Sequence, residues 1–327
     1  MTDPEVEGTA ERPLPRLLLA GTTLVWMAGM LWSARATITG RVDAEMAVTS
    51  TAYALPGAIS ASLVAGAAAG LAVLTLATRR RALGSTTRFA VATGSGLLLG
   101  MLGAISISTI NTDGWVYAVA GGAVAAASTI GGALAGFRAP RVVAAVCWAA
   151  IAVFAVGLVL NLFQDPVLRA LGLGDSQASQ TQAAQWFAFC QSVLSGLAAG
   201  LVAYTVLRRT RRGAELAWPF YALAGAGPGL LLVIAEGLTR TAGARVLELA
   251  GRVSELELVV QQMLSGTRFN SALIVLFAGA ITAVIAVGRT LGPAPEEPAA
   301  EEPPSGSPPA APQTNSSSSD TAYHSSS

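Results

Sequence analysis

Residues 62–71 of the chain read SLVAGAAAGL, and residues 192–201 read SVLSGLAAGL. Both lie inside long apolar stretches that carry no charge near their middle. About 20 apolar residues suffice to cross a bilayer core, and backbone polar groups in lipid must pair within their own helix. The sequence therefore predicts an all-α, polytopic membrane bundle of about eight transmembrane helices. Their expected positions are residues 17–34, 51–77, 89–109, 115–137, 142–163, 184–207, 217–236 and 270–288.

The composition limits the class of protein. Of 327 residues, 53% are hydrophobic and only 12% are charged, the latter about half the usual share for a soluble domain. These values exclude an ordinary soluble enzyme. The formal net charge is +1, so no strong field attracts nucleic acid, and we expect no nucleic-acid partner.

The arginines predict the orientation of the chain. All 20 basic residues are arginine. An inward-facing N-terminus places 13 of them on the cytoplasmic side and seven outside, as the positive-inside rule requires. We therefore expect a bacterial plasma-membrane protein with both termini in the cytoplasm. The alternative is a signal peptide cleaved near residues 34–36, which the acidic segment at residues 3–11 disfavours.

The two quoted segments belong to an internal repeat. At an offset of about 130 residues, Gly66 aligns with Gly196 and Gly70 with Gly200. Neighbouring helices align in the same order, which predicts a tandem (4+4) parallel repeat whose units are related by an axis along the membrane normal. The expected segments are a cytoplasmic N-terminus at 1–16, four-helix units at 17–138 and 139–289, and a disordered cytoplasmic tail at 290–327.

Glycines predict where the helices pack and where one of them bends. Lipid tails are as apolar as leucine, so association depends on close backbone approach, which small residues allow. We expect the repeat-equivalent pairs Gly66 and Gly70, and Gly196 and Gly200, to lie at the bundle axis. In the seventh helix the sequence Gly227-Pro228-Gly229 predicts a break or kink.

Residues 241–265 predict an amphipathic helix on the extracytoplasmic side. Apolar residues from Val246 to Met263 recur at spacings of three and four, and Gly266 is placed to end the helix. Three roles are open for this helix. It could lie in the plane of the outer headgroups, pair with a protein partner or a second copy, or cover the bundle. Membrane lipid is therefore the expected partner, with a second copy of the chain or an envelope protein as open alternatives.

Residues that commonly carry catalysis are scarce. The one histidine, His324, lies in the serine-rich tail, and the two cysteines, Cys147 and Cys190, lie in apolar runs. No span carries a pair of carboxylates, and no phosphate-binding loop motif occurs. We therefore expect no enzymatic activity, no cofactor and no metal site.

The candidate functional residues are polar side chains near the predicted helix ends: Glu236, Asp113, Asn161 and Asp165. Ionisable groups in or near a span are functional candidates by default, and Glu236 directly follows the predicted kink. The alternative interpretation is that these residues cap helix ends among wet headgroups.

Two functional hypotheses follow. The first is a non-enzymatic protein that binds or translocates a small or lipid-like molecule between two similar halves. The second is a scaffold or regulatory subunit of a cell-envelope complex, which acts through the outer helix and the cytoplasmic tail. The first is the leading hypothesis, because of the duplication, the predicted kink and Glu236. The scarcity of polar groups inside the spans favours the second, because a path for a polar solute needs a polar lining.

Reporter fusions test the predicted orientation. Fusions after residues 85 and 210 should report a cytoplasmic location, because arginines cluster beside both positions. Green fluorescent protein and alkaline phosphatase give opposite signals on the two sides. Phosphatase activity at either position would contradict the predicted topology.

Overall fold

A computed structural model defines the fold. It describes residues 14–39, 44–79, 84–109, 115–137, 139–174, 176–210, 217–241 and 255–289. These residues form helices and short turns, with no strand among them. The helices are α1 Leu14–Thr39, α2 Ala44–Thr78, α3 Ser85–Ser108, α4 Trp115–Gly136, α5 Pro140–Leu162, α6 Gln164–Ala170, α7 Gln177–Arg209, α8 Trp218–Thr241 and α9 Glu255–Gly288.

Eight of these helices are long and apolar enough to cross a membrane; the short α6 is the exception. Large apolar side chains cover the outside of the bundle: Trp32 is 77% exposed and Leu98 is 70% exposed. Small side chains such as Ala61, Ala65 and Ala68 are buried. This inside-out distribution suits hydrocarbon as solvent. The chain is a multi-pass membrane protein, and the predicted all-α polytopic bundle is confirmed.

The α5–α7 connection shows why the predicted span at residues 184–207 was too short. After α6 the chain turns at Gly172, whose φ of 90° is the left-handed conformation that glycine adopts without strain. Ser176 then caps α7, because its side chain accepts a hydrogen bond from the Ser179 amide at 3.2 Å. The helix therefore begins at Gln177 and includes polar residues that hydropathy alone excludes.

Close backbone approach holds the first four helices together. A Cβ atom on Gly66 would overlap the backbone of Ser128 in α4, and one on Gly70 would lie 2.8 Å from the Ala135 side chain. The Ser128 hydroxyl donates a hydrogen bond of 2.8 Å to the Gly96 carbonyl of α3. Helix α4 thus packs tightly against both α2 and α3.

The corresponding helices of the second half meet at corresponding positions. A Cβ atom on Gly196 would lie 3.2 Å from the Val275 carbonyl, and one on Gly200 would lie 2.6 Å from the Gly279 carbonyl. Thus α9 packs against α7 and α8, as α4 packs against α2 and α3. All four predicted packing glycines lie at these contacts.

The two halves meet through different surfaces. Helix α2 contacts α5 and α8, and α1 contacts α5. A closed two-fold arrangement would also bring α7 against α1 and α3, but among the described helices α7 contacts neither. The contact between the halves is therefore heterologous.

The predicted kink in the seventh span does not interrupt its helix. Helix α8 continues through Gly227, Pro228 and Gly229, where a Cβ atom on Gly227 would overlap Val146 of α5 and one on Gly229 would overlap Leu276 of α9. These glycines therefore serve helix packing, and a bend at Pro228 stays a prediction.

The predicted outer helix is also corrected. Residues 255–265 form the first part of α9, which continues through Gly266, while residues 242–254 lie outside the described residues. One glycine costs a helix about 1 kcal/mol. That cost does not end a helix whose next 22 residues are predominantly apolar and whose side chains before and after Gly266 bond to α8.

Leucine substitutions test the glycine contacts. Gly66→Leu and Gly200→Leu should lower the thermal stability in detergent, since overpacking a tight contact costs about 1–3 kcal/mol. Gly29→Leu is the control, because nothing lies within 4 Å of its Cβ position. Equal melting temperatures for the three variants would refute this packing.

Candidate functional site

A cleft of about 440 Å³ lies between α2, α5, α7, α8 and α9. Its walls are mainly apolar, and polar side chains enter from several helices. Successive spans alternate in direction, so the N-terminal half of one helix lies beside the C-terminal half of the next. The lining residues Ser60, Gly157, Gln191, Glu236 and Arg268 consequently lie toward one end of the bundle. Arg79 and Arg209 lie at the opposite end.

Glu236 is the buried charge of this cleft. Its side chain is 4% exposed, and it lies near the C-terminal end of α8. Arg268 of α9 donates a hydrogen bond from Nε to Oε2 at 3.0 Å. Arg240, one turn further along α8, donates from Nε to Oε1 at 3.1 Å. The carboxylate is therefore held from two helices.

Ser265 joins these charges into one network. Its hydroxyl donates to Oε1 of Glu236 and accepts a hydrogen bond of 2.9 Å from Nε of Arg240. Arg240 also donates to the Ser265 carbonyl at 3.2 Å, and its guanidinium lies 5.5 Å from the Phe269 ring centroid. The network links the end of α8 to the beginning of α9.

Helix α7 supplies uncharged polar groups to the same cleft. Gln191, Ser192 and Ser195 all line it. The Ser192 hydroxyl donates to the Ala188 carbonyl of its own helix at 2.8 Å, which satisfies its proton and leaves its oxygen free to accept. Three side chains that belong to no recognisable sequence motif thus share one wall of the cleft.

An apolar chamber of about 130 Å³ adjoins the cleft. Trp26 and Phe154 lie against it with ring centroids 4.7 Å apart, and Pro228 forms part of its wall. The chamber and the cleft share the lining residues Ser60, Val153 and Leu232. A charged region and an apolar region are therefore contiguous.

The structure brings one of the four candidate residues into this site. Asn161, at the end of α5, and Asp165, in the first turn of α6, are exposed and do not line the cleft. Asp113 lies outside the described residues. Sequence reasoning missed Arg268 and Ser265, because both were assigned to the outer helix and its end. Their signal was a charge and a hydroxyl near the start of the last span.

The potential metal ligands and thiol groups of the described residues lie apart from one another. The described ranges hold no group of three or more His, Cys, Asp or Glu residues that could bind a metal ion. Cys147 is fully buried among apolar side chains, and Cys190 is partly buried. The cleft is suited to binding by charge, hydrogen bonds and apolar contact.

No family model, no curated protein and no solved structure matches this chain.

Substitutions in the network test its contribution to stability. Glu236→Ala leaves the guanidinium groups of Arg240 and Arg268 without their carboxylate. Both are partly exposed, so solvent compensates them in part, and the lost hydrogen bonds cost about 1–3 kcal/mol. We expect a clear fall in melting temperature. The exposed Asp165→Ala is the control, with no measurable change.

A double substitution separates charge from packing. Glu236→Leu with Arg268→Leu removes both charges and should be more stable than Glu236→Leu alone, because the single variant strands a cation. A double variant as unstable as the sum of the two single variants would show that the pair is not coupled.

Proposed function

We propose that this chain is a non-enzymatic plasma-membrane protein that binds, and moves between the two sides of its bundle, a small or lipid-like molecule held in the cleft. The observation that carries the proposal is the ion pair between the buried carboxylate of Glu236 and the partly exposed Arg268, which both line an open volume. Charged residues inside membrane spans are costly and mark binding or transport sites.

Stability alone is a weak reason for this pair. Desolvation of two charges offsets much of their attraction, and apolar residues of similar size commonly stabilise a helix contact as well or better. The α8–α9 contact already has tight glycine packing at Gly225 and Gly229. A carboxylate and two arginines at its end are better explained by a ligand.

The location of the cleft supports movement of a ligand. One wall comes from α2, in the first four-helix unit, and the others come from the second unit. In transporters built from repeats, the site lies between repeats that move against each other. We propose that the two units arose by tandem duplication, because equivalent glycines make equivalent contacts in each.

The proposed orientation sets the accessible side. With both termini in the cytoplasm, the end of the bundle that holds the cleft faces outward, opposite the arginine-rich end. A ligand would then enter from the outer leaflet or the external solution of a bacterial cell.

Occlusion of the cleft tests the proposal. The full chain, purified in mild detergent, should retain a bound small molecule that mass spectrometry detects. Ala188→Trp places an indole in the cleft and should reduce its retention at least fivefold. Leu194→Trp, on an exposed side of the same helix, should leave it unchanged.

The same preparation also gives the results that would contradict the proposal. Equal retention in Ala188→Trp and the wild-type chain would place the molecule elsewhere. An empty cleft with a stoichiometric protein partner would favour the scaffold hypothesis instead.

A further inference from the structure

The hydrogen bonds of the cleft indicate which charge remains available to a ligand. Both oxygens of Glu236 are occupied: Oε1 accepts from Ser265 and Arg240, and Oε2 accepts from Arg268. A cationic ligand would have to displace these donors from a side chain that is only 4% exposed. The carboxylate is therefore a poor site for a cation.

Arg268, in contrast, has hydrogen-bond donors that are available to a ligand. It lines the cleft, its side chain is 30% exposed, and Nε is bonded to Glu236. Within the described part of the chain, its two terminal nitrogens make no hydrogen bond. The bond at Nε orients a planar guanidinium whose remaining donors match the geometry of phosphate or carboxylate.

The charge balance points the same way. Across the network, two guanidinium groups of Arg240 and Arg268 face the single carboxylate of Glu236. Among the described residues, this leaves one positive charge uncompensated beside the cleft. Low dielectric surroundings strengthen its attraction for an anion.

The apolar chamber lies deeper in the bundle than the charges. Pro228 lines the chamber and precedes Glu236 by about two helical turns, or about 12 Å along α8 at 1.5 Å per residue. Trp26 and Phe154 lie near the midpoints of α1 and α5. The polar-to-apolar gradient of the cavity thus follows the polar-to-apolar gradient of a bilayer leaflet.

We propose that the cleft binds an amphiphile with an anionic head group, a phosphate or carboxylate. The terminal nitrogens of Arg268 hold the head group, Glu236 and Ser265 orient the arginine and its neighbour, and one hydrocarbon chain extends into the chamber beside Trp26. This inference rests on the proposed function and names its ligand class.

Lipids that differ only in the head group test the charge. The full chain in non-ionic detergent is offered equal amounts of phosphatidylglycerol, phosphatidylcholine and a cationic diacyl lipid with identical acyl chains. Native mass spectrometry should show one bound phosphatidylglycerol, preferred about tenfold over the other two. Equal binding of the three lipids, or preference for the cationic lipid, would overturn the proposal.

Inorganic phosphate and glycerol phosphate test the hydrocarbon chain. Neither should displace phosphatidylglycerol at millimolar concentration, because neither fills the apolar chamber. Displacement by either one at concentrations similar to the lipid would show a site for a free anion and would refute an amphiphile.

Two variants test the assigned residue. Arg268→Gln should abolish the preference for phosphatidylglycerol, whereas Arg169→Gln, an exposed arginine on α6 outside the cleft, should retain it. Arg268→Lys keeps the charge and the link to Glu236 but loses the planar donors, so it should fold and show a weaker preference. Full preference in Arg268→Lys and Arg268→Gln alike would exclude Arg268 as the head-group ligand.

Failure of this inference is distinguishable from failure of the proposed function. A molecule that Ala188→Trp expels but that is zwitterionic or cationic would refute only the anionic amphiphile. A cleft that retains no molecule in the wild-type chain, and binds none of the three lipids, would refute both.

Discussion

Close approach of helix backbones is the constraint on which the rest of this structure depends. Hydrocarbon removes the hydrophobic drive that folds soluble proteins, so helices associate only where their surfaces fit closely. Here α4 and α9 contact their neighbours through glycine, alanine and serine, with backbone atoms of adjacent helices in direct contact. Many of the large apolar side chains, such as Trp32 and Leu98, lie on the outside of the bundle.

The same contacts position the charged site. Gly225 and Gly229 of α8 bring that helix directly against Gly279 and Leu276 of α9. Two turns further along α8, the helices are still close enough for Glu236 to accept hydrogen bonds from Ser265 and Arg268. A larger residue at either glycine would separate the helices and lengthen these bonds. The network is thus a consequence of packing as much as of charge.

Much of the fold was predictable, because it depends on hydropathy and length. The eight spans lie where the sequence indicated, and the four predicted glycines make tight helix contacts. Their position at a bundle axis stays a prediction. The predicted helix end at Gly266 was judged from local propensity, which the long apolar helix α9 and its bonds to α8 override. Of the site, Glu236 was identified because a carboxylate near a span is rare. Ser60 and Gln191 were not, since serines and glutamines at helix ends are common.

The sequence by itself determined that the chain is an all-helical membrane protein with two similar sets of glycine-containing helices. The sequence suffices for this because the constraint is local: each apolar run must pair its own backbone groups in lipid. Only the tertiary structure decided that Glu236, Arg268 and Ser60 line one cleft, and that a chamber at Trp26 adjoins it. These residues are far apart along the chain, and their meeting depends on which helix faces pack, which no single helix encodes.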